Sequence, residues 1–352
     1  MRTHRIAVLP GDGIGEEVVR EALRVLDRAA EAEGFGLEKT TYPYGADHFL
    51  ATGEMMPTGA LREMGEHEAI LLGAIGDPRI ETGKLERAII WGVRETFDLY
   101  VNLRPVKLYS EDLCPLKGKG PEDVDLVVVR ENTEDAYAGI GGNLRPGSAH
   151  EVAAAVMVYT RDGVERVIRY AFETAVRRDK NGAPKVTLVD KANAIRAQDI
   201  WTRTFEEVAS EFPGVKTDHA YIDAACMWMV KNPEWFDVVV TPNLFGDILT
   251  DLGAMVQGGM GIAASGNIHP GRVSMFEPIH GSAPKYRGKT TANPIATIEA
   301  GRMLLEHIGE ATAADRIGAA VRTALETGRI RSLSAGEHKT DEVGDIVLGC
   351  LS

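Results

Sequence analysis

Positive charge is scarce in this chain of 352 residues: 39 Lys and Arg stand against 52 Asp and Glu, a net charge of −13. So acidic a surface is poorly suited to nucleic acid or an anionic membrane through bulk attraction. An anionic small molecule would need a local basic cluster working against the global field. Cysteine is also scarce. Cys114, Cys226 and Cys350 are odd in number and far apart, which fits neither a disulfide framework nor a zinc pattern and is expected of reduced thiols. No apolar run approaches membrane-spanning length, and Met1–Arg5 carries no apolar signal core, so a cytoplasmic protein is expected. What remains is a globular balance, 44% hydrophobic and 26% charged, with length enough for two domains.

Short apolar runs alternate with helical spacing along the chain. Residues 5–9, 69–72, 125–129, 153–159, 186–189 and 236–240 read as strands. Residues 16–32, 164–176, 200–208, a segment from about Phe245, and a last long helix near 292–307 read as helices. This alternation predicts an α/β fold with a largely parallel sheet. The stretch 107–123, rich in Pro, Gly and Lys, is either a domain crossing or a surface loop.

Gly11-Asp-Gly-Ile-Gly15 follows a strand and precedes a helix, the setting of a phosphate-binding turn. Its G-x-G-x-G spacing is not that of a Rossmann turn, and such glycines also serve simply as tight connections. Asn243-Leu-Phe-Gly-Asp-Ile-Leu-Thr-Asp251 follows the strand 236–240. Asp247 and Asp251 are four apart, on one helix face. A divalent cation with oxygen ligands, Mg²⁺ or Mn²⁺, would remove their repulsion; a solvated polar face would leave them bare. Asp223 is either a third such carboxylate or a helix N-cap. Arg94, Arg104 and Arg130 stand near strand-like segments, suited to a carboxylate ligand or to structural ion pairs. Lys191 lies just past the strand 186–189, as a base or as a surface lysine. His280-Gly-Ser-Ala-Pro284 is small enough to approach an adenine ring, or to be only a turn.

Several longer segments are more specific: Leu9-Pro-Gly-Asp-Gly-Ile-Gly15, Tyr100-Val-Asn-Leu-Arg-Pro105, Val128-Val-Arg-Glu-Asn-Thr-Glu134 with Tyr137, Asp190-Lys-Ala-Asn193, Asn243–Asp251, Gly261-Ile-Ala-Ala-Ser-Gly-Asn267 and Phe276-Glu-Pro-Ile-His-Gly-Ser-Ala-Pro284. Together they resemble, over essentially the whole chain, the β-decarboxylating dehydrogenases that act on isopropylmalate, isocitrate, homoisocitrate, tartrate or D-malate. The resemblance implies the isopropylmalate dehydrogenase-like fold, two domains with a split mixed sheet and no Rossmann turn. Residues 1–100 plus 253–352 would form the cofactor-side domain, and 101–252 the domain of dimerisation, metal and substrate ligands. It implies a homodimer with shared sites that oxidises and decarboxylates a 2-hydroxy dicarboxylic acid. Arg94, Arg104 and Arg130 would clamp carboxylates. Asp247 and Asp251, with Asp223 from the partner subunit, would hold Mg²⁺ or Mn²⁺. Lys191, also from the partner, would be the base, and Tyr137 the acid. His280, Gly281, Ser282, Ala283 and Asn293 would line the adenosine site.

Substrate choice is implied to rest on the helix before Arg94, with Ile90 and Trp91, and on Ala194. Ala88, Ile90 and Trp91 cannot pair with a third carboxylate, whose unpaired burial is costly. An apolar substituent, as in 3-isopropylmalate, is therefore expected, with tartrate, D-malate or a malate carrying an unusual C3 group as alternatives. Lys285-Tyr286 stands where NAD-linked relatives carry Asp; NAD is expected, with NADP the alternative this pair raises. A non-catalytic regulatory subunit would be expected to lose part of this residue set. A phosphohydrolase would leave Lys191, Tyr137 and the arginines without a joint purpose.

Overall fold

Runs of Val, Leu and Ile bounded by Gly or Asp set the strands of this chain, seen in a computed structural model that describes residues 2–351. The strands are β1 (Arg2–Gly11), β2 (Phe35–Thr41), β3 (Ala69–Ala74), β4 (Val101–Lys107), β5 (Asp125–Glu131), β6 (Gly141–Leu144), β7 (Val152–Ala155), β8 (Lys185–Asp190), β9 (Lys216–Tyr221), β10 (Val238–Thr241), β11 (Ala264–Ile268) and β12 (Ser274–Pro278). The chain divides into two units, the first comprising 1–99, 107–121 and 254–352, the second 100–106 and 122–253.

In the first unit the strand order is β2-β1-β3-β12-β11. β1 runs parallel to β2 and β3, β12 parallel to β3, and β11 antiparallel to β12. β3 is buried along its whole length, as expected of a strand covered on both faces. The helix Gly15–Glu33 buries Val18, Val19, Ala22, Val25, Leu26, Ala29 and Ala30, three and four apart as one apolar stripe requires. It ends at Gly34, whose φ of 77° lets its N–H reach the carbonyls of Ala30 and Glu31.

The second unit has the order β4-β5-β10-β8-β9, with β5, β10, β8 and β9 parallel to their neighbours in turn. The helices Arg161–Arg178, Asp199–Ala209, Ile222–Lys231 and most of Asn243–Val256 belong to it. Thr160 caps the first of these, its hydroxyl accepting from the Gly163 N–H at 3.0 Å. Parallel strands joined through helices, with one antiparallel strand in the first unit, make the mixed α/β sheet that was expected.

Three readings need correction. Ile295–His307 is not the last long helix, because Ala311–Glu326 and Thr340–Cys350 follow it. Their buried faces are largely Ala, Gly and Val, which blurs the stripe a sequence reader looks for. Residues 153–159 are not a buried strand; only Val152–Ala155 is extended, in an exposed two-stranded ribbon with β6. Arg94 lies in the helix Gly92–Thr96 rather than in a strand-like segment of the chain. The stretch 107–123 contains one short 3₁₀ turn, Glu111–Leu113, and otherwise no helix or strand after Lys107.

Candidate functional site

The segment 130–138 is folded by its own acidic residues, and this decides where Tyr137 goes. Glu131 is buried, and burial pushes its carboxyl up. It closes the turn after β5 by accepting from the Thr133 hydroxyl and N–H, both at 2.7 Å, and from the Glu134 N–H at 2.9 Å. Glu134 then binds the Thr160 N–H at 2.8 Å and the Thr160 hydroxyl. Asp135, at φ 69°, a conformation Asp tolerates better than most residues, accepts from the Leu244 N–H at 2.9 Å. Leu244 lies in the first turn of Asn243–Val256, whose unpaired amides and dipole favour a carboxylate.

That docking puts Tyr137 and two arginines on Asp247. The Tyr137 hydroxyl donates to Asp247 Oδ2 at 2.8 Å, and Arg130 Nη1 bonds Asp247 Oδ1. Arg104 Nη2 lies 3.6 Å from Asp247 and Arg104 Nη1 lies 3.8 Å from Asp251. Both guanidinium groups are buried and pegged. Arg130 Nε donates to Asn243 at 2.9 Å; Arg104 donates to Asn102 at 2.7 Å and to Thr250 at 2.6 Å. Gly246 permits the approach, since a Cβ there would sit 2.5 Å from Arg130 Cγ. Burial pushes the Asp247 carboxyl up, but the Arg130 charge and the Tyr137 hydrogen bond outweigh it, and the group lies below its ordinary range. Asp251 lies above its ordinary range, because burial outweighs Arg104. Burial first, and then the Asp247 contact, push the Tyr137 phenol up to about 12.

A second group forms at the ends of β8 and β9. Lys191 Nζ donates to Asp223 Oδ1 at 2.6 Å and lies 5.9 Å from the centre of the Tyr221 ring. Its hydrogen bond holds the Asp223 carboxyl below the usual range. Asp223 is in the first turn of Ile222–Lys231. Ala194 is exposed, its N–H closing a turn onto the Lys191 carbonyl at 2.9 Å. Among the described residues, no three His, Cys, Asp or Glu side chains of one chain are placed to hold a metal ion. Asp247 and Asp251, one turn apart and only partly buried, are oxygen donors of the kind Mg²⁺ or Mn²⁺ takes.

In the first unit, Arg94 Nη2 lies 3.5 Å from Glu277 and its guanidinium 5.5 Å from the Trp91 ring centre. Ala88 and Ile90 pack on the core around Leu85, Ile89 and Val93. The turn Arg87–Trp91 is a π-helix between two short α-helical stretches. Such turns re-aim side chains and recur at functional sites; nothing in the sequence signalled it.

The glycine turn also behaves unlike a phosphate cradle. Asp12 accepts from the Ala46 and Gly76 N–H groups at 2.6 and 2.8 Å, and the Ile14 N–H binds the Ser282 carbonyl at 2.9 Å. A Cβ on Gly13 would lie 2.0 Å from that carbonyl. The turn thus fastens the loop 280–284 in place. Ser282 donates to the Gly76 carbonyl at 2.5 Å, and Ala283 and Tyr286 pack on Ile14, Val18 and Ala292. Buried Nε2 of His280 has no partner among the described residues, and Gly281 is exposed. The Lys285 ammonium lies 4.8 Å from the Tyr286 ring centre, and Asn293 accepts from the Ile295 N–H at 3.0 Å.

A family model described as isocitrate/isopropylmalate dehydrogenase matches residues 5–347. A 3-isopropylmalate dehydrogenase of Thermobifida fusca is 50% identical over 98% of this chain and 96% of its own length. One of Clavibacter sepedonicus is 48% identical over 100% and 99%. Among solved structures, an isocitrate dehydrogenase from Methylococcus capsulatus superposes with a TM-score of 0.88 at 36% identity, covering 99% of both chains.

Proposed function

The chain belongs to the isocitrate/isopropylmalate dehydrogenase family, and from that premise we propose that it converts 3-isopropylmalate, by oxidation at C2 and loss of the C3 carboxylate, with NAD and Mg²⁺ or Mn²⁺. The observation that carries the reading is the convergence of Tyr137, Arg104 and Arg130 on the Asp247–Asp251 pair, in a chain half identical to enzymes named for that substrate. When bound, the metal supplies Lewis-acid polarisation of the substrate oxygens, and the nucleotide accepts the hydride.

The residues supply the rest. Arg104 and Arg130 offer pegged guanidinium forks to the substrate's carboxylates, with Arg94 as the third. Lys191 takes the C2 hydroxyl proton as the C2 hydride departs. After CO₂ leaves, Tyr137 returns a proton to C3. Its raised pKa keeps that proton in place at neutral pH.

Asp223 and Lys191 act from the partner copy in this reading, which supplies the third carboxylate that one chain lacks. Support for a second copy comes from exposed apolar side chains: Met227 and Val230 on Ile222–Lys231, Ile248 and Met255 on Asn243–Val256, and Ile140, Leu144 and Val152 at the ribbon. The apolar Ala88, Ile90 and Trp91 favour an alkyl group on C3. NADP has one specific observation in its favour, the exposed Lys285 beside Tyr286. Initial rates with isopropylmalate, D-malate, tartrate and isocitrate, each with NAD and NADP, test the reading. Isopropylmalate with NAD should be fastest; faster isocitrate turnover would overturn the argument from Ala88 and Trp91.

A further inference from the structure

Asp190 ends β8, one residue before Lys191, and is wholly buried. Its Oδ1 accepts from His219 Nε2 at 3.0 Å and from the Ala192 N–H at 3.1 Å. Its Oδ2 is buried with no partner among the described residues. Burying a carboxylate with one oxygen unused is costly, and an apolar side chain would fill the place without that cost. What the carboxylate supplies instead is a fixed position for the turn after it.

The turn is closed by short-range bonds. The Lys191 carbonyl accepts from the Ala194 and Ile195 N–H groups at 2.9 and 2.8 Å, while Asp190 holds the N–H of Ala192. His219 carries the constraint across to β9. The two strands run parallel, with Leu188 opposite His219 and Asp190 opposite Tyr221. His219 and Tyr221, two apart on a strand, share a face, and their rings meet edge to face with centres 5.1 Å apart. The Lys191 ammonium lies 5.9 Å from the Tyr221 ring centre and 2.6 Å from Asp223, two residues further on. A carboxylate only accepts, so His219 Nε2 carries the hydrogen. Asp190 and His219 thus tie the turn bearing Lys191 to the strand that leads into Asp223.

We propose that Asp190 and His219 are positioning residues that set Lys191 and Asp223 against each other, so that a chain presents the two as one preset unit to the site of its partner. This inference rests on the dehydrogenase reading above, with its shared sites. In that reading Lys191 takes the C2 hydroxyl proton and Asp223 is the third carboxylate. Their separation has to be correct before they meet the other copy, since displacements near 1 Å cost about a hundredfold in rate. Asp190 and His219 act only on groups of their own chain.

The test uses saturating Mn²⁺ with isopropylmalate and NAD. His219 is partly exposed, so His219→Leu leaves the core intact. It should lower kcat by about ten- to a hundredfold and leave KM for NAD within about twofold. His219→Gln keeps a donor at similar reach and should recover most of that loss. Asp190→Asn keeps the buried shape and weakens both bonds; its kcat should fall too, and it replaces His219→Leu throughout if that variant does not fold. Hybrid dimers, purified through two different tags, are decisive. Asp247→Asn paired with Lys191→Met is the control: one of its two sites is intact, so turnover per dimer should return to about half that of the unaltered dimer. Asp247→Asn paired with His219→Leu should do the same, because its intact site takes Lys191 and Asp223 from the chain with unaltered His219. A general loss of structure would also spoil Tyr137 and Asp247 of the His219→Leu chain, and that hybrid would stay inactive. No recovery there beside recovery in the control overturns the proposal, as does an unchanged kcat in both His219→Leu and Asp190→Asn. An unaltered protein without turnover would sink the dehydrogenase reading, and a control hybrid without recovery its shared sites; this inference falls with either.

Discussion

Asp247 illustrates how little room the proposed site leaves. Tyr137, Arg130 and Arg104 all address one carboxylate, while burial pushes the carboxyl of its helix neighbour Asp251 up. Replacing Asp247 with Asn keeps an oxygen for Arg130 and removes the charge. We expect turnover to fall at least about a thousandfold with an unchanged circular dichroism spectrum; retained activity would remove Asp247 from the machinery. Asp251 gives a pH prediction. Its pKa is raised, so as pH falls it begins to take up a proton at higher pH than an ordinary aspartate, and a protonated carboxyl is a poor ligand. Mn²⁺ affinity, read by titration calorimetry, should therefore be full at neutral pH and fall as the pH drops into the carboxylate range. An affinity flat through that range would exclude Asp251 as a ligand. Gly246 is a third case at this scale. The Gly246→Ala methyl would collide with the Arg130 stem, shifting its guanidinium, so KM for the hydroxy acid should rise by about tenfold.

At the scale of elements, motif and role come apart. Gly11–Gly15 left open a phosphate turn or a tight connection, and in the structure it fastens a loop, with Asp12 bonded to Ala46 and Gly76 and Gly13 against Ser282. Gly13→Ala, at φ 59°, should cost stability of about 1–3 kcal/mol through backbone strain plus the clash. It should also raise KM for NAD, because the loop 280–284 is displaced. Measured Tm and nucleotide KM both unchanged would contradict the fastening role. The helix around Ala88, Ile90 and Trp91 was implied only by the family resemblance, and its π turn not at all, because apolar spacing cannot distinguish a local register slip from a regular helix. The exposed ribbon was misread for a related reason: Val-Ala-Ala-Ala carries strand-like apolarity whether or not anything covers it.

On the scale of the whole molecule, the net negative charge is offset locally where the substrate is proposed to bind, by the buried Arg104 and Arg130. The proposed dimer makes a separable prediction. Met227 is 67% and Met255 56% exposed, and Met227→Asp with Met255→Asp places charges on a face that a second copy would cover. The variant should sediment as a monomer and lose activity, since Asp223 and Lys191 would no longer reach the partner's Asp247. A fully active monomer would refute shared sites.

Sequence by itself determined the α/β class and the positions of β1, β3, β5, β8 and β10, because strand burial and helix periodicity are local and each leaves a local mark. Tertiary structure alone decided that Tyr137 meets Asp247, that Arg104 is pegged by Thr250, and that Tyr159 bonds both Asp135 and Gln198. Those partners lie far apart along the chain, and a hydrogen bond between distant residues has no periodicity to betray it.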